Sequence, residues 1–254
     1  MSLQENGRKG IIVGGGPTGI SAAITAGRAG ARVILIDNHP KLGGQLNGER
    51  YFLDKKPAHH WVKQCVEELD GLENVTIATR TSAFGYYDSN VVNAIESVSD
   101  HLPEPLDYQC RQRLWQIRAK KVILATGATE RPIVFSNNDR PGIMLAGSVR
   151  TYANRFGAHC GQKIAIYTNN DDGWKTADDL KNMGLEIKAV IDTRKDIEAL
   201  SSSIPSYLGQ TITKTYGRKG IKAIKLSSGS KLNVDWLAVS GLSLIHISEP
   251  TRQA

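Results

Sequence analysis

The chain has 254 residues, 40% hydrophobic and 22% charged, with a formal net charge of +7. That length suits one large or two modest domains, since single cores stop growing at roughly 250–300 residues, and the composition is that of an ordered globular protein rather than a disordered one. The basic residues are scattered in pairs such as Lys55-Lys56 and Lys120-Lys121, which argues against a nucleic-acid-binding face; no apolar run reaches the roughly 20 residues of a membrane span, and residues 1–10 lack the apolar stretch of a secretory signal, so the expected location is cytoplasmic.

Residues 9–13 read as a first strand, and residues 17–29 as a helix with Pro17 near its start, where a missing N–H costs nothing. Between them lies Gly14-Gly15-Gly16-Pro17-Thr18-Gly19. Gly14 permits the tight strand-to-helix turn, Gly16 lets backbone approach a pyrophosphate, and Gly19 lets the helix pack closely on its strand. The phosphates then rest on a helix N-terminus, whose free N–H groups and dipole favour an anion. Residues 33–36 read as a second strand, buried on both faces because it lacks polar alternation. It ends at Asp37, placed to accept the hydroxyls of an adenosine ribose. Strand, turn, helix, strand and acid in this order predict a βαβ dinucleotide site.

Residues 57–69 carry apolar side chains at helical spacing. Short β-like runs at 75–77, 91–95 and 114–117 read as an antiparallel excursion. Residues 121–125 return as a buried strand ending in Thr126-Gly127-Ala128, where glycine lets backbone approach a cofactor. Arg140-Pro141-Gly142 is a turn, and residues 145–156 a helix leading into a second lobe. There, strand 163–167, helix 174–183 and strand 186–192 repeat the first βαβ pattern. The intervening loop is Thr168-Asn169-Asn170-Asp171-Asp172-Gly173. Two carboxylates stand where phosphates would sit and repel them, so this lobe is expected to bind no ordinary dinucleotide, its polar residues capping the helix instead.

Cys65, Cys110 and Cys160 are far apart with no C-x-x-C pair, which argues against a redox disulfide, a zinc ribbon or an iron–sulfur cluster; no metal site is expected. His39, His101 and His159 lack a matched Ser, Cys or Asp at interpretable spacing, and no catalytic residue is assigned.

The glycine motif and acid, together with Gly43-Gly44-Gln45 and Ala125-Thr126-Gly127-Ala128-Thr129-Glu130-Arg131-Pro132, resemble the two-dinucleotide-domain flavoproteins typified by thioredoxin reductase. More specifically, Phe84-Gly85-Tyr86-Tyr87-Asp88, Arg111-Gln112-Arg113-Leu114-Trp115, Glu130-Arg131-Pro132-Ile133-Val134-Phe135 and Asn138-Asp139-Arg140-Pro141-Gly142 resemble the α subunits of heterotetrameric sarcosine oxidases. The resemblance implies an α/β, Rossmann-like FAD/NAD(P)-binding fold with an antiparallel β excursion and a second, degenerate nucleotide-type lobe. The implied domains are residues 1–156 and 157–241. It further implies NAD as cofactor, with FAD the alternative, an FMN shared with a partner, and a β-type flavoprotein subunit plus smaller subunits as partners. Sarcosine would be demethylated to glycine on a partner subunit, with this chain the central portion of a larger subunit. The implied cofactor contacts are Gly14, Gly16, Pro17, Thr18 and Gly19 at the pyrophosphate, Asp37 at the ribose, Gly43, Gly44 and Gln45 at the far half, and Thr126 and Gly127 closing over it. Alternatives are a stand-alone NAD(P)H-dependent flavin reductase, or an α-type subunit for another amine, opine or proline. Residues 242–254 depart from the family pattern and read as a translated sequencing adapter rather than native protein.

Overall fold

The computed structural model describes residues 9–50, 52–53 and 56–241; the tail expected at 242–254 lies outside them. Contacts divide the chain into two units, Met1–Gly127 and Ala128–Ala254.

The first unit runs β1 (Lys9–Val13), α1 (Pro17–Arg28), β2 (Arg32–Ile36), a two-strand ribbon of β3 (Phe52–Leu53) and β4 (Lys56–Pro57), α2 (Ala58–Asp70), β5 (Val75–Ala78), β6 (Thr81–Tyr87), β7 (Val91–Ser97), β8 (Gln112–Arg118) and β9 (Lys121–Leu124). Its main sheet is parallel in the order β5-β2-β1-β9, with Ile12 beside both Leu35 and Ile123. Alternation along β1 splits its side chains between two cores. Ile12 and Leu35 pack with Ile20 and Ala23 of α1 and with Val62, Cys65 and Leu69 of α2. Ile11 and Ile36 face the other way, onto Val92 and Ala94 of the antiparallel sheet β6-β7-β8. Each such large aliphatic side chain, once buried, contributes about 1.5–3 kcal/mol of transfer free energy.

Two expectations shift. Residues 75–78 belong not to the excursion but to the main sheet, because α2 serves as a crossover helix that returns the chain parallel to β2. The excursion begins instead at Thr81, in a strand whose Gly85 sits next to a register shift. Strand β9 is also less buried than its apolar run predicts: it is the edge strand, and Ile123 and Leu124 are 41% and 42% exposed.

The second unit contains β10 (Ile143–Leu145), α3 (Ala146–Phe156), β11 (Lys163–Thr168), α4 (Asp171–Asn182), β12 (Glu186–Asp192), β13 (Ser206–Leu208), β14 (Ile212–Tyr216), β15 (Ala223–Leu226), β16 (Lys231–Asn233) and β17 (Trp236–Ser240). A parallel sheet, β10-β17-β11-β12-β13, carries α3 and α4 on one face through Val149, Trp174 and Leu180 against Ile164, Ile166 and Val190. The antiparallel sheet β14-β15-β16 covers the other face, with Ile224 and Leu226 against Ala165, Tyr167 and Ile191. The unit thus repeats the plan of the first. The division at 127/128 falls earlier than the boundary expected at residue 156, because β10 pairs with β17 and Val149 and Ala153 of α3 share a core with Trp174 of α4. Helix α4 begins at Asp171 rather than at 174, since Asn170 caps it.

Candidate functional site

In the first unit the turn from β1 to α1 is built almost without side chains, and its glycines are glycine for different reasons. Gly14 sits at φ +108°, where L side chains are strained, and a Cβ on it would stand 2.2 Å from the Ala125 carbonyl oxygen. A Cβ on Gly19 would stand 1.8 Å from the Gly14 carbonyl oxygen, and one on Gly15 would stand 2.4 Å from Cδ2 of Leu42. Gly16 differs. Its backbone is extended, at φ −75° and ψ −177°, and a Cβ there would meet nothing within 4 Å. Packing within the protein does not require a glycine at 16; the close approach of a ligand's backbone-sized group would.

Gly16 is also the N-cap of α1, and no side chain caps the helix. Pro17 follows at the start, and the first turn holds no acidic residue. The leading N–H groups of an α-helix have no intrahelical acceptor, so this end presents donors and a positive partial charge to an anion.

Asp37 follows β2 and is 7% exposed. Its Oδ2 accepts from the Gly15 N–H at 2.6 Å, while its Oδ1 accepts from the His39 N–H at 2.7 Å and lies 3.1 Å from His39 Nδ1. The following loop is fastened to the motif: the Gly43 N–H donates to the Gly15 carbonyl at 2.7 Å, and a Cβ on Gly44 would stand 2.9 Å from the Gly16 Cα. Ala125 N–H donates to the Val13 carbonyl at 2.7 Å, bringing exposed Thr126 and Gly127 to the same end of β1. Pro17 and Thr18 are exposed on the first turn of α1, and Gln45 is exposed on the short 3-10 turn Gly44–Asn47. Gly15 and His39 are additions. Gly15 occupies a free position of the glycine motif, and His39, expected to lack a matched acid, instead contacts Asp37 two residues before it.

The second unit offers the same frame with its positions filled. Thr168 and Gly173 stand where Gly14 and Gly19 stand in the first, five residues apart in both, and a Cβ on Gly173 would come within 2.4 Å of Thr168 Oγ1. Asn170 takes the place of Gly16 as the N-cap. Its Oδ1 accepts from the N–H groups of Asp172 and Gly173 at 3.0 and 3.3 Å, satisfying donors that Gly16 leaves open. Replacing Asn170 by alanine should lower the unit's stability by about 1 kcal/mol in a urea titration. Asp171 and Asp172 are ion-paired to Arg194 at 2.8 Å and Arg150 at 3.1 Å.

Asp192 ends β12 as Asp37 follows β2, and it is fully buried. Its Oδ2 accepts from Trp174 Nε1 at 2.8 Å and Arg194 Nη2 at 2.9 Å; its Oδ1 accepts from the Arg194 N–H at 2.9 Å and Nε at 3.1 Å. Burial alone would raise this carboxyl, but the hydrogen bonds from Arg194 and Trp174 outweigh it and hold the group below the ordinary carboxylate range. The stabilisation is complete above the ordinary value of 3.8 and is lost as pH falls through the lower, folded-state value. With four donors on two oxygens, the carboxylate is saturated. Glu130, across the same unit, accepts from the Gly147 N–H at 2.9 Å near the start of α3, and burial pushes its carboxyl up. Among the described residues no group of His, Cys, Asp and Glu is arranged to hold a metal ion, and no helix is long and apolar enough to cross a membrane.

A parallel sheet, a turn onto a helix N-terminus and an acid at the end of the second strand occur in both units, with the glycine turn kept in the first; this is the frame of FAD/NAD-binding oxidoreductase folds. The sequence model of the FAD dependent oxidoreductase family matches residues 11–71, the stretch from β1 to just past α2. L-proline dehydrogenase from P. horikoshii superposes with a TM-score of 0.70 at 24% identity, covering 94% of this chain and 44% of its own. Thioredoxin reductase from Lactococcus lactis superposes with a TM-score of 0.68 at 16% identity, covering 93% and 78%. At these identities the likeness is one of fold. In sequence, the chain is 42% identical over 241 residues to the sarcosine oxidase α subunit of Rhizobium meliloti (strain 1021), a match covering 91% of this chain. The chain spans about a quarter of that subunit, 24% of its length.

Proposed function

We propose that this chain is the dinucleotide-holding portion of the α subunit of a multi-subunit sarcosine oxidase. The observation that supports the binding reading is Gly16, a glycine that no packing contact requires, set on a helix N-terminus without a side-chain cap. The diphosphate would rest on the first turn of α1, with Pro17 and Thr18 beside it and Gly14 and Gly19 holding the turn. The adenosine ribose would donate to Asp37, while Gly43, Gly44, Gln45, Thr126 and Gly127 would border the remainder. The carboxylate of Asp37 favours an unphosphorylated ribose, because a 2′-phosphate would bring like charge against it.

NAD is the dinucleotide implied by the resemblance to sarcosine oxidase α subunits. FAD is the second reading, favoured by the family match at residues 11–71. A bound dinucleotide supplies hydride-transfer chemistry; this chain's residues bind and orient it, and amine oxidation belongs to a partner, a β-type flavoprotein subunit with smaller subunits in a cytoplasmic complex and an FMN shared with this chain. A stand-alone NAD(P)H-dependent reductase is disfavoured because it needs a second open nucleotide site, and Asn170 and Arg194 close the corresponding frame. Residues 157–241 are accordingly read as a scaffold without a dinucleotide.

Acid extraction of the purified chain followed by mass identification of the released molecule tests the cofactor. NAD from a colourless protein supports the first reading. FAD from a yellow protein supports the second, and no adenine dinucleotide contradicts both. Replacing Asp37 by alanine should weaken ADP binding roughly 10- to 100-fold, the range for losing charged hydrogen bonds, as measured by calorimetric titration.

A further inference from the structure

The residue two positions beyond the ribose acid has the same backbone role in both units. The N–H of His39 donates to Asp37 Oδ1 at 2.7 Å, and the N–H of Arg194 donates to Asp192 Oδ1 at 2.9 Å. The two side chains then diverge. The Arg194 guanidinium adds two further bonds to Asp192 and is tied by a third to Asp171, and its side chain is 30% exposed. The His39 side chain is 61% exposed and, among the described residues, makes one hydrogen bond, Nδ1 to Asp37 Oδ1 at 3.1 Å, on a carboxylate that is itself 8% exposed.

We propose that His39 is a gate on the adenosine-ribose end of the site, holding with its ring a carboxylate oxygen, Asp37 Oδ1, that a ribose hydroxyl would otherwise take. The proposal rests on the dinucleotide reading of the first unit. An ionised carboxylate only accepts, so the ring nitrogen facing Asp37 carries the hydrogen and donates it. Two of the donors on Asp37 are backbone N–H groups, from Gly15 and His39, fixed by the turn. The ring is the third, and it is the one a rotation about the His39 side chain removes. A ribose hydroxyl arriving at Asp37 Oδ1 exchanges one donor for another, and the imidazole swings into solvent. In the second unit the same position is closed for good, because Arg194 is held from both Asp192 and Asp171. The residue at this position thus helps set whether the acid of a βαβ unit is available to a nucleotide, with Trp174 Nε1 completing the closure in the second unit. His39 is a specificity and positioning residue, not a catalytic one.

The test is calorimetric titration of the full chain, stripped of small molecules, with ADP and separately with 2′,3′-dideoxy-ADP. His39→Ala should bind ADP about three- to tenfold more tightly than the parent, the size of one net hydrogen bond no longer displaced. His39→Asn, whose amide nitrogen stands where Nδ1 stands, should bind like the parent. Neither variant should gain affinity for the dideoxy nucleotide, which has no hydroxyl to compete. Equal or weaker ADP binding by His39→Ala, or a gain that persists with the dideoxy nucleotide, overturns the gate while leaving the site reading intact. No ADP binding by any form overturns the site reading and the gate with it.

Discussion

Replacing Gly16 by valine is expected to leave the first unit folded and to weaken its dinucleotide binding by about a hundredfold, the effect of a steric clash near 3 kcal/mol. The backbone at Gly16 is one that any L-residue adopts, and among the described residues no atom beyond its chain neighbours lies within 4 Å of the new Cβ. The only intrinsic loss is a poorer N-cap, worth about 1 kcal/mol or less. A valine side chain at the N-cap of α1 would take up space beside the leading N–H groups, where the proposed diphosphate would rest. Thermal unfolding together with ADP titration separates the two effects. A variant that binds as tightly as the parent would remove the main support for the site.

Gly19→Ala is expected to do the reverse, destabilising the unit itself by about 4 kcal/mol, at the upper end for a single substitution. The added carbon would stand 1.8 Å from the Gly14 carbonyl oxygen, and that neighbour is backbone, held by the turn and by the Gly14 N–H bond to the Ile36 carbonyl at 2.8 Å. No rotamer change relieves such an overlap; α1 would have to move off β1 and open the core around Ile20 and Ala23. Total stabilities are about 5–15 kcal/mol, so urea titration should show the first unit unfolding at markedly lower denaturant. An unchanged midpoint would mean that the turn accommodates a side chain which its geometry excludes.

The two variants also show what the sequence could and could not disclose. The meeting of Gly14, Gly16, Gly19 and Asp37 at one strand-to-helix turn was legible because such a turn has few solutions, so spacing alone brings them together; their roles toward a dinucleotide are the proposal. The atoms that Gly14 and Gly19 must clear were not legible, since the contacts with the Ala125 and Gly14 carbonyl oxygens are tertiary ones with no local pattern. Gly15 was hidden for the same reason: its N–H on Asp37 links positions 22 residues apart. Strand 75–78 was misplaced in the excursion because parallel pairing with β2 depends on where α2 returns the chain, not on the apolar run itself. The sheet of residues 212–233 had no counterpart in the sequence reading, its strands being only three to five residues long.

The second lobe was readable as a frame and not as a lock. Thr168 to Gly173 departs plainly from a glycine motif, and helix capping was the expected role of its polar residues; Asn170 fills that role through its side-chain oxygen. The carboxylates expected to repel phosphates are instead partnered by Arg150 and Arg194, from α3 and from just beyond β12. Asp192 was legible only as the end of a strand. Its kinship with Asp37 emerges once β11, α4 and β12 superimpose in role on β1, α1 and β2, and its saturation by Trp174 and Arg194 once those side chains are placed.

The central claim is that one of the two units holds a dinucleotide and the other does not. The most direct test is the stoichiometry of ADP binding to the full chain freed of small molecules, measured by calorimetry beside Gly16→Val. One site per chain, lost in that variant, is the predicted result. Two sites per chain, or one site that survives Gly16→Val, would contradict the account.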